Sequence, residues 1–476
     1  MTISPLDIPL GPSLTEEEAR AICAQGEEAI VFALLTMAQM LAQQQAQAAA
    51  TSNQSPSTPS GMKPPYQKPP APAGRKKPGR KKGHLGSRRD MPERIDRYVE
   101  HRAKVCPDCG GELNRCAQTR KRYIEDIPAD IEPEVTEYTI HRDWCPKCKK
   151  KVERAVTEAM PNATLGNRVL VLSAWLHYCL GTTLSQVVDV FNFHLTIKLT
   201  PGGLIQMWRR LAEVLAAWNE EIQRQALESA VLHGDETGWR VNGKTHWLWC
   251  FATEHLSYFM IDRSRGSPAL LKIFTKEFAG TLVTDFWAAY NALACASRQK
   301  CLVHLLRDLE HVEKYKSPGL EWKVFAKKLR RLIMDAICLS RRREEYSPET
   351  YASRCKWITA RLQKLIDTPW TDKQAKRLIK RFRRHQDELF TFLKQPDVPF
   401  DNNQAERSIR PAVILRKNSN GNRSQEGAST QAILMSVFFT LKKRGHNPVA
   451  VIRNALTVYL ETGQLPPLPK SIAANG

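Results

Sequence analysis

The stretch "AVLHGDETGWRV" (residues 230–241) is where the chain changes from a helical to a strand pattern. It and the two stretches that follow, "THWLWCFAT" (245–253) and "LSYFMIDRS" (256–264), are short and rich in β-branched and aromatic residues. Between the first two stands "NGK" (242–244), which is typical of a tight hairpin turn. The pattern therefore predicts consecutive antiparallel strands.

Helical and strand patterns alternate after these strands. We predict a helix at 268–278, a strand at 280–286, a helix at 287–296 and a strand at 299–305. Three antiparallel strands followed by alternating helices and strands indicate an α/β sheet of ribonuclease-H-like order. From about 305 to 398 the chain is again helical and very basic.

Two aspartates lie in these predicted strands, although aspartate is depleted from strands. Asp235 directly follows an apolar run and Asp285 ends another. Either one alone is more simply a cap or turn residue, but neighbouring strands would present both carboxylates at one edge. Close carboxylates repel each other and are kept together by a cation. Mg²⁺ suits such a site, and two ions about 4 Å apart support phosphoryl transfer, which generally needs a third carboxylate.

Glu406 is the candidate for the third carboxylate. We expect a short helix that begins at the N-cap Asp401 and is stopped by Pro411. Four-residue spacing places Glu406 on one face with Asn402 and Arg410, which suits a site that holds a metal and touches phosphate. The alternative is a capped surface helix with a Glu406–Arg410 ion pair, and the local sequence favours that alternative.

Two CxxC motifs predict a metal site. Cys106 and Cys109 form one, Cys145 and Cys148 the other, and the stretch between them alternates like a zinc-ribbon hairpin. Four thiolates at this spacing suit tetrahedral Zn²⁺, in a closed site that is structural rather than catalytic. We expect it to hold a small basic ribbon against DNA. The alternative is a set of free, buried cysteines.

The charge balance points to an anionic partner. The 476 residues include 71 Lys and Arg against 49 Asp and Glu, a net charge of +22, and nucleic acid is the usual partner of such a chain. No apolar run of about 18 or more residues predicts a membrane span, and no secretory signal is seen. The CxxC spacing indicates metal binding in a reducing compartment.

The first part of the chain reads as three different segments. Residues 14–48 predict an amphipathic helix, which either packs on its own protein or self-associates. A Pro-rich, basic stretch then predicts a disordered linker that lies along DNA phosphates or is merely solvated. Its basic core consists of Arg75, Lys76, Lys77, Arg80, Lys81 and Lys82. Residues 167–225 are helical and suit either a helix-turn-helix or an ordinary helical hairpin.

Several motifs occur in an order that resembles a known family. They are "LHGDET" (232–237), "VTDFWAAYNAL" (283–293) followed by "CLVHLLRDLE" (301–310), and "DNNQAERSIRPAVILRKNS" (401–419). With the CxxC motifs, they are similar to those of the insertion sequence 66 family of bacterial transposases. The resemblance implies a DDE recombinase with a ribonuclease-H-like core, in which Asp235, Asp285 and Glu406 match the catalytic triad and use Mg²⁺ or Mn²⁺. It also implies a helical insertion before the glutamate and a zinc-finger module. A protein of this family is expected to be bacterial, cytoplasmic and nucleoid-associated.

The family also has a Cys-x-x-His after the second aspartate, which Cys301 and His304 match. Two ligands are too few for a zinc site of their own. We interpret them as a strand-end pair near the active site that contacts DNA, with a packed structural role as the alternative. Arg407 and Arg410 are expected to contact DNA phosphates.

These features lead to one functional hypothesis and two alternatives. The hypothesis is a transposase that cuts DNA at the ends of its own element and joins them to a target, working as a homo-oligomer on double-stranded DNA, with accessory proteins of the element as further partners. The alternatives are a ribonuclease-H-like nuclease or resolvase that cuts without joining, and a catalytically inactive DNA-binding derivative.

We therefore expect a multidomain α/β protein: a ribonuclease-H-like catalytic core with a helical insertion, preceded by a zinc ribbon and an N-terminal helix. The predicted segments are the N-terminal helix (1–50), the linker (51–95), the zinc ribbon (96–160), a helical region (161–228), the first part of the core (229–304), the insertion (305–398), the end of the core (399–465) and a tail (466–476).

Overall fold

The computed structural model describes residues 92–100, 105–106, 108–113, 121–128, 131–316 and 319–472, with scattered positions between 20 and 34. The predicted basic linker lies outside these residues, including Arg75, Lys76, Lys77, Arg80, Lys81 and Lys82. Within the described ranges, no helix is both long and apolar enough to cross a bilayer.

The described positions near the N-terminus are mostly helical, but they do not form the continuous helix predicted there. Gly26 has a φ of 102°, outside the helical region, and so interrupts it. The rest of the predicted helix lies outside the described residues.

The first strands form a small hairpin around the second CxxC motif. Strand β1 (Asp143–Cys145) pairs antiparallel with β2 (Lys150–Val152). The sequence predicted strands between the two CxxC motifs, and this was wrong for the described part, where no strand precedes Asp143. The chain instead forms a hairpin after Cys145, with a tight turn that includes Lys149, whose φ is 51°.

Three helices precede the main sheet: α1 (Asn167–Tyr178), α2 (Leu184–Asp189), which continues into one π-helical turn, and α3 (Pro201–Leu227). Thr200 caps α3 by accepting the N–H of Gly203 at 3.2 Å. Helix α3 buries a row of side chains, Leu204, Trp208, Leu211, Leu215, Trp218 and Ile222, against the sheet and a later helix. Because α3 belongs to the core, the helical-hairpin interpretation fits better than a free recognition helix.

The main sheet begins with a meander. Strands β3 (Val231–Val241), β4 (Lys244–Ala252) and β5 (Ser257–Asp262) pair antiparallel in sequence, as predicted. Asn242 and Gly243 form the first turn with φ values of 49° and 70°, the left-handed pair that a two-residue hairpin needs.

The sheet continues on the other side of β3, with parallel strands. After a short helix, α4 (Ser267–Leu270), come β6 (Phe278–Thr284) and β7 (Cys295–Lys300). Strand β6 is parallel to β3, and β7 is parallel to β6. The order across the sheet is therefore β5-β4-β3-β6-β7, with the first strand of the meander at the centre.

The predicted elements around β6 and β7 were partly wrong. The helix predicted at 268–278 is only the four-residue α4, and the one at 287–296 is a 3₁₀ turn at Ala288–Ala292. The strand predicted at 299–305 ends at Lys300, and helix α5 (Leu302–Tyr315) follows. The apolar run there is the start of a helical stripe, because the buried residues recur at three- and four-residue intervals: Leu302, Leu305, Leu309 and Val312.

A helical unit lies between β7 and the end of the core, where the sequence predicted an insertion. It comprises α5, α6 (Leu320–Arg341), α7 (Pro348–Asp367), α8 (Lys373–His385) and α9 (Thr391–Lys394). These helices share a second hydrophobic core, which also includes Val283 of β6. The unit's two ends meet, because the N–H of Leu302 donates to the carbonyl of Phe400 at 2.9 Å.

Three helices complete the core: α10 (Asn403–Ser419), α11 (Gln425–Lys443) and α12 (Pro448–Thr462). Two expectations for α10 were wrong, since its N-cap is Asn402 rather than Asp401 and it runs through Pro411. An interior proline costs about 3 kcal/mol. The turns beyond it bury Ala412, Leu415 and Arg416 on the sheet, and this burial offsets that cost.

The close packing of β6 on the start of β3 generates a stability prediction. A Cβ at Gly280 would lie 2.4 Å from the carbonyl oxygen of Ser229 and 2.7 Å from that of Ala230. We expect Gly280→Ala to lower the free energy of unfolding by about 1–3 kcal/mol, because the strands must separate to admit the methyl group. Gly202→Ala is the control, since a Cβ at Gly202 meets nothing within 4 Å. Equal denaturation midpoints for the two variants would contradict the argument.

Candidate active site

Asp235 and Asp285 lie on adjacent parallel strands at matching positions. His233 of β3 pairs with Val283 of β6, and each aspartate stands two residues further along its strand. Asp285, just past the end of β6, is 7% exposed, and its Oδ1 accepts the N–H of Trp287 at 2.8 Å. The prediction that neighbouring strands present both carboxylates together is consistent with this register.

Glu406, the third predicted catalytic carboxylate, lies in the first turn of α10. Both of its carboxylate oxygens accept hydrogen bonds from Arg307 of α5, at 3.1 and 3.2 Å. Nδ1 of His304 lies 3.9 Å from Oε1 of the same carboxylate. The surface-helix alternative required an ion pair between Glu406 and Arg410, whereas the observed partner of Glu406 is Arg307.

The carboxylates influence one another electrostatically. Burial, followed by the charges of Glu236 and Asp285, raises the pKa of Asp235 well above its usual range. The charge of Glu406 acts in the same direction. The charges of Asp285 and Glu406 thus both act on Asp235, and a bound cation would relieve this repulsion.

The ligand atoms of Asp235, Asp285 and Glu406 do not all lie within 4.8 Å of one another, so they are more widely spaced than the ligands of one small metal ion. Among the described residues, a single group of three or more Cys, His, Asp or Glu has all its ligand atoms within 4.8 Å of one another. That group is Cys301, His304 and Glu406. Glu406 therefore belongs to two sets of potential ligands.

Asn402 positions this corner of the site, a role that the sequence did not reveal. The residue is 1% exposed. Its side-chain NH₂ donates to the carbonyl of Gly234 at 2.8 Å, and its Oδ1 lies 3.1 Å from Nδ1 of His233. Its backbone N–H donates to Sγ of Cys301 at 3.2 Å. One side chain thus ties the start of α10 to β3, next to Asp235.

Two further contacts hold α10 along β3. Near the end of the helix, buried Arg416 donates to Oγ1 of Thr237 at 3.0 Å and also to the carbonyl of Gly238. Just after the helix, Oδ1 of Asn422 accepts the indole N–H of Trp239 at 2.7 Å. We call these contacts, together with that of Asn402, the α10–β3 clamp.

Glu236 is a fourth carboxylate that sequence reasoning missed. It accepts hydrogen bonds from Arg265 at 3.0 Å and from the hydroxyl of Tyr290 at 2.8 Å. The Arg265 guanidinium also stacks on the rings of Trp287 and Trp247. Burial, and then the charge of Asp285, raises the pKa of Glu236 to about 7 despite these partners. The sequence did contain a signal for Glu236. It follows Asp235 directly in a strand, and adjacent strand residues face opposite sides of the sheet, so one carboxylate lies on each side.

The residues predicted to contact DNA have different surroundings. Arg407 and Arg410 are exposed on α10 beside Glu406, where phosphates can reach them. The side chain of His304 is 23% exposed and its Nδ1 is buried, which makes it a weaker candidate for contact with DNA. It lies in a helix, not at a strand end as predicted, because β7 stops before it.

The two CxxC motifs each form a turn suited to a thiolate. The N–H of Cys148 donates to Sγ of Cys145 at 3.4 Å, and backbone N–H groups lower the pKa of both Cys106 and Cys145. No three of the four sulfur atoms lie within 4.8 Å of one another. Backbone N–H groups thus face a sulfur atom in each CxxC motif, and the zinc site stays a prediction.

Comparison with known proteins gives matches for most of the chain. The sequence model of the Transposase IS66 family matches residues 162–430, more than half of the 476 residues. That of the zinc-finger binding domain of transposase IS66 matches residues 103–149. Two uncharacterized proteins of Sinorhizobium fredii (strain NBRC 101917 / NGR234) are similar over 77% of this chain. They are y4qI, at 24% identity over 72% of its length, and y4jD, at 23% identity over 77% of its length.

The Asn402 contacts predict a measurable loss of stability. Asn402→Ala should lower the free energy of unfolding by about 2–4 kcal/mol, because it leaves the buried carbonyl of Gly234 and the His233 ring without their partner. Asn403→Ala is the control, since half-buried Asn403 loses only a bond to Asp401 of 2.7 Å and should cost about 0.5–1 kcal/mol. Urea denaturation measures both, and a larger cost for Asn403→Ala would refute the role assigned to Asn402.

Proposed function

Because the chain belongs to the IS66 family of transposases, we propose that it is a Mg²⁺- or Mn²⁺-dependent DDE transposase that cuts DNA at the ends of its element and joins them to a target. The observation that carries this proposal is the register of β3 and β6, which supports a position for Asp235 beside Asp285, while the charge of Glu406 acts on Asp235 from the first turn of α10. They would be the catalytic residues.

The sheet topology supports a ribonuclease-H-like catalytic core. A meander of three antiparallel strands is extended by two parallel strands on the side of its first strand. The register of β3 and β6 supports neighbouring positions for the two aspartates.

The side chains fit divalent cations held by oxygen. Carboxylates are the protein ligands that Mg²⁺ prefers, and here burial, followed by repulsion from neighbouring carboxylates, raises the pKa of Asp235. Asp235, Asp285 and Glu406 would hold the ions. When bound, the ions supply neutralisation of charge on the attacking and leaving oxygens.

The chain's own residues would bind and orient the DNA. Exposed Arg407 and Arg410 would contact phosphates beside the carboxylates, and Arg307 would exchange its bonds to Glu406 for bonds to DNA. Water would cut a strand at the element end, and the freed 3′-hydroxyl would attack a target phosphodiester in line. Positioning supplies most of the rate in such a reaction, without a covalent protein–DNA intermediate.

The CxxC region would bind Zn²⁺ through Cys106, Cys109, Cys145 and Cys148, as the matching zinc-finger model suggests. The site would hold the surrounding segment against DNA, with the basic linker alongside. We expect a second copy of the chain, and accessory proteins of the element, to take part on the DNA. We propose the bacterial cytoplasm, at the nucleoid, as the place of action.

Removing one catalytic carboxylate should abolish the chemistry and leave DNA binding intact. Asp285→Ala is expected to lower Mg²⁺-dependent cleavage of labelled element ends at least about a hundredfold, because the ions lose a ligand. Asp387→Ala, which removes an exposed carboxylate of the helical unit, is the matched control and should cleave normally. A gel-shift assay checks that both variants bind the ends.

The same assay with a supercoiled target separates the possible activities of the unaltered chain. Joined product supports a transposase, cut product alone supports a nuclease or resolvase, and binding alone supports an inactive derivative. Full cleavage by Asp285→Ala would refute the proposed triad.

The zinc proposal predicts a change in metal content. Cys109→Ser should lose one equivalent of zinc per chain, because three ligands hold the ion far less tightly than four at a closed site. Cys338→Ser, which alters an exposed cysteine of α6, should keep it. Elemental analysis of the purified proteins measures both, and unchanged zinc in Cys109→Ser would contradict the assignment.

A further inference from the structure

Three different metal-binding side chains meet where α5 and α10 begin. Cys301 is the N-cap of α5, His304 lies in its first turn, and Glu406 lies in the first turn of α10. Their ligand atoms all lie within 4.8 Å of one another. The proposed Mg²⁺ site uses only one of the three, so the proposed function does not explain the group.

The sulfur of Cys301 is held in a fixed position. The residue is fully buried, and its Sγ accepts the N–H of Asn402 at 3.2 Å. Burial raises the pKa of this thiol, so a metal ion would displace its proton on binding.

The ring of His304 directs an unused nitrogen toward the same point. Its Nδ1 is buried and has no hydrogen-bond partner. The distance from Nδ1 to Oε1 of Glu406, 3.9 Å, is too long for a hydrogen bond. Two ligands of one tetrahedral Zn²⁺ lie about 3.3–3.8 Å apart, since each is about 2.0–2.3 Å from the ion. The gap is therefore close to that of two atoms sharing a metal ion.

We propose that Cys301, His304 and Glu406 form a binding site for a thiophilic transition metal ion such as Zn²⁺. Thiolate and imidazole select such ions over Mg²⁺. Three protein ligands leave one coordination position open, unlike the closed site of four cysteines. Arg307 would give up one carboxylate oxygen of Glu406 and keep the other, since it now contacts both.

Shared use of Glu406 makes the two metal sites compete. Zn²⁺ at this site withdraws the carboxylate from Asp235 and Asp285, so it inhibits the Mg²⁺-dependent reaction. This consequence rests on the proposed transposase activity, whereas binding of the transition metal does not. The two are therefore tested separately.

Binding is tested with Co²⁺, which replaces Zn²⁺ and absorbs light when bound to thiolate. The full-length protein, loaded with one equivalent of Zn²⁺ at the four-cysteine site, is titrated with Co²⁺. We expect one further equivalent, with a thiolate-to-Co²⁺ charge-transfer band. Cys301→Ser should lose that band, and Cys295→Ser, which changes a partly buried cysteine of β7 outside the group, should keep it.

A second variant guards against misfolding of Cys301→Ser at its buried position. His304→Ala, at a more exposed position, should keep the normal denaturation midpoint and weaken Co²⁺ binding at least about tenfold. A charge-transfer band that persists in Cys301→Ser, or the absence of a second equivalent from the unaltered protein, would overturn the proposal.

Inhibition is tested by adding Zn²⁺ to the Mg²⁺-dependent cleavage reaction. The unaltered protein should be inhibited, and Cys301→Ser should need at least about tenfold more Zn²⁺ for the same effect. Equal inhibition of both proteins would overturn the competition, while the Co²⁺ result would stand. A chain that cleaves no DNA under any condition would refute the proposed function and leave the Co²⁺ test unaffected.

Discussion

The α10–β3 clamp is the constraint on which the site depends. Glu406 and Asp235 are far apart in sequence, and nothing local sets the distance between them. Asn402 at the start of the helix, Arg416 near its end and Asn422 just beyond it each bond to a different part of β3. Because the contacts are spread along the strand, the helix can neither slide nor rotate without breaking buried hydrogen bonds.

This attachment allows the fold to tolerate charges that repel each other. Asp235, Asp285 and Glu236 are crowded at one part of the sheet, where burial raises the pKa of Asp235 and Glu236. Arg265 offsets part of the repulsion on one face, and Arg307 does so at Glu406. A cation bound between the two aspartates would offset more of this repulsion.

Sequence patterns predicted the features governed by local physics. The strand-like stretches predicted the meander, and "NG" predicted its first turn, because both depend on residues close in sequence. The predicted stop at Pro411 failed because packing on the sheet outweighed a local preference. The role of Asn402 could not be predicted, since its partners Gly234 and His233 lie 168 and 169 residues away in the sequence. The contact of Cys301 and His304 with Glu406 was hidden for the same reason.

The hydrogen bond between Leu302 and Phe400 has a consequence for how the protein can evolve. The helical unit begins and ends at neighbouring points, packs on β7 through α9, and has a hydrophobic core that consists mostly of its own residues. Helices can therefore be added to it, or removed from it, without lengthening the path from β7 to α10. Its size and surface are free to diversify between related elements, while the arrangement of carboxylates at its base stays the same.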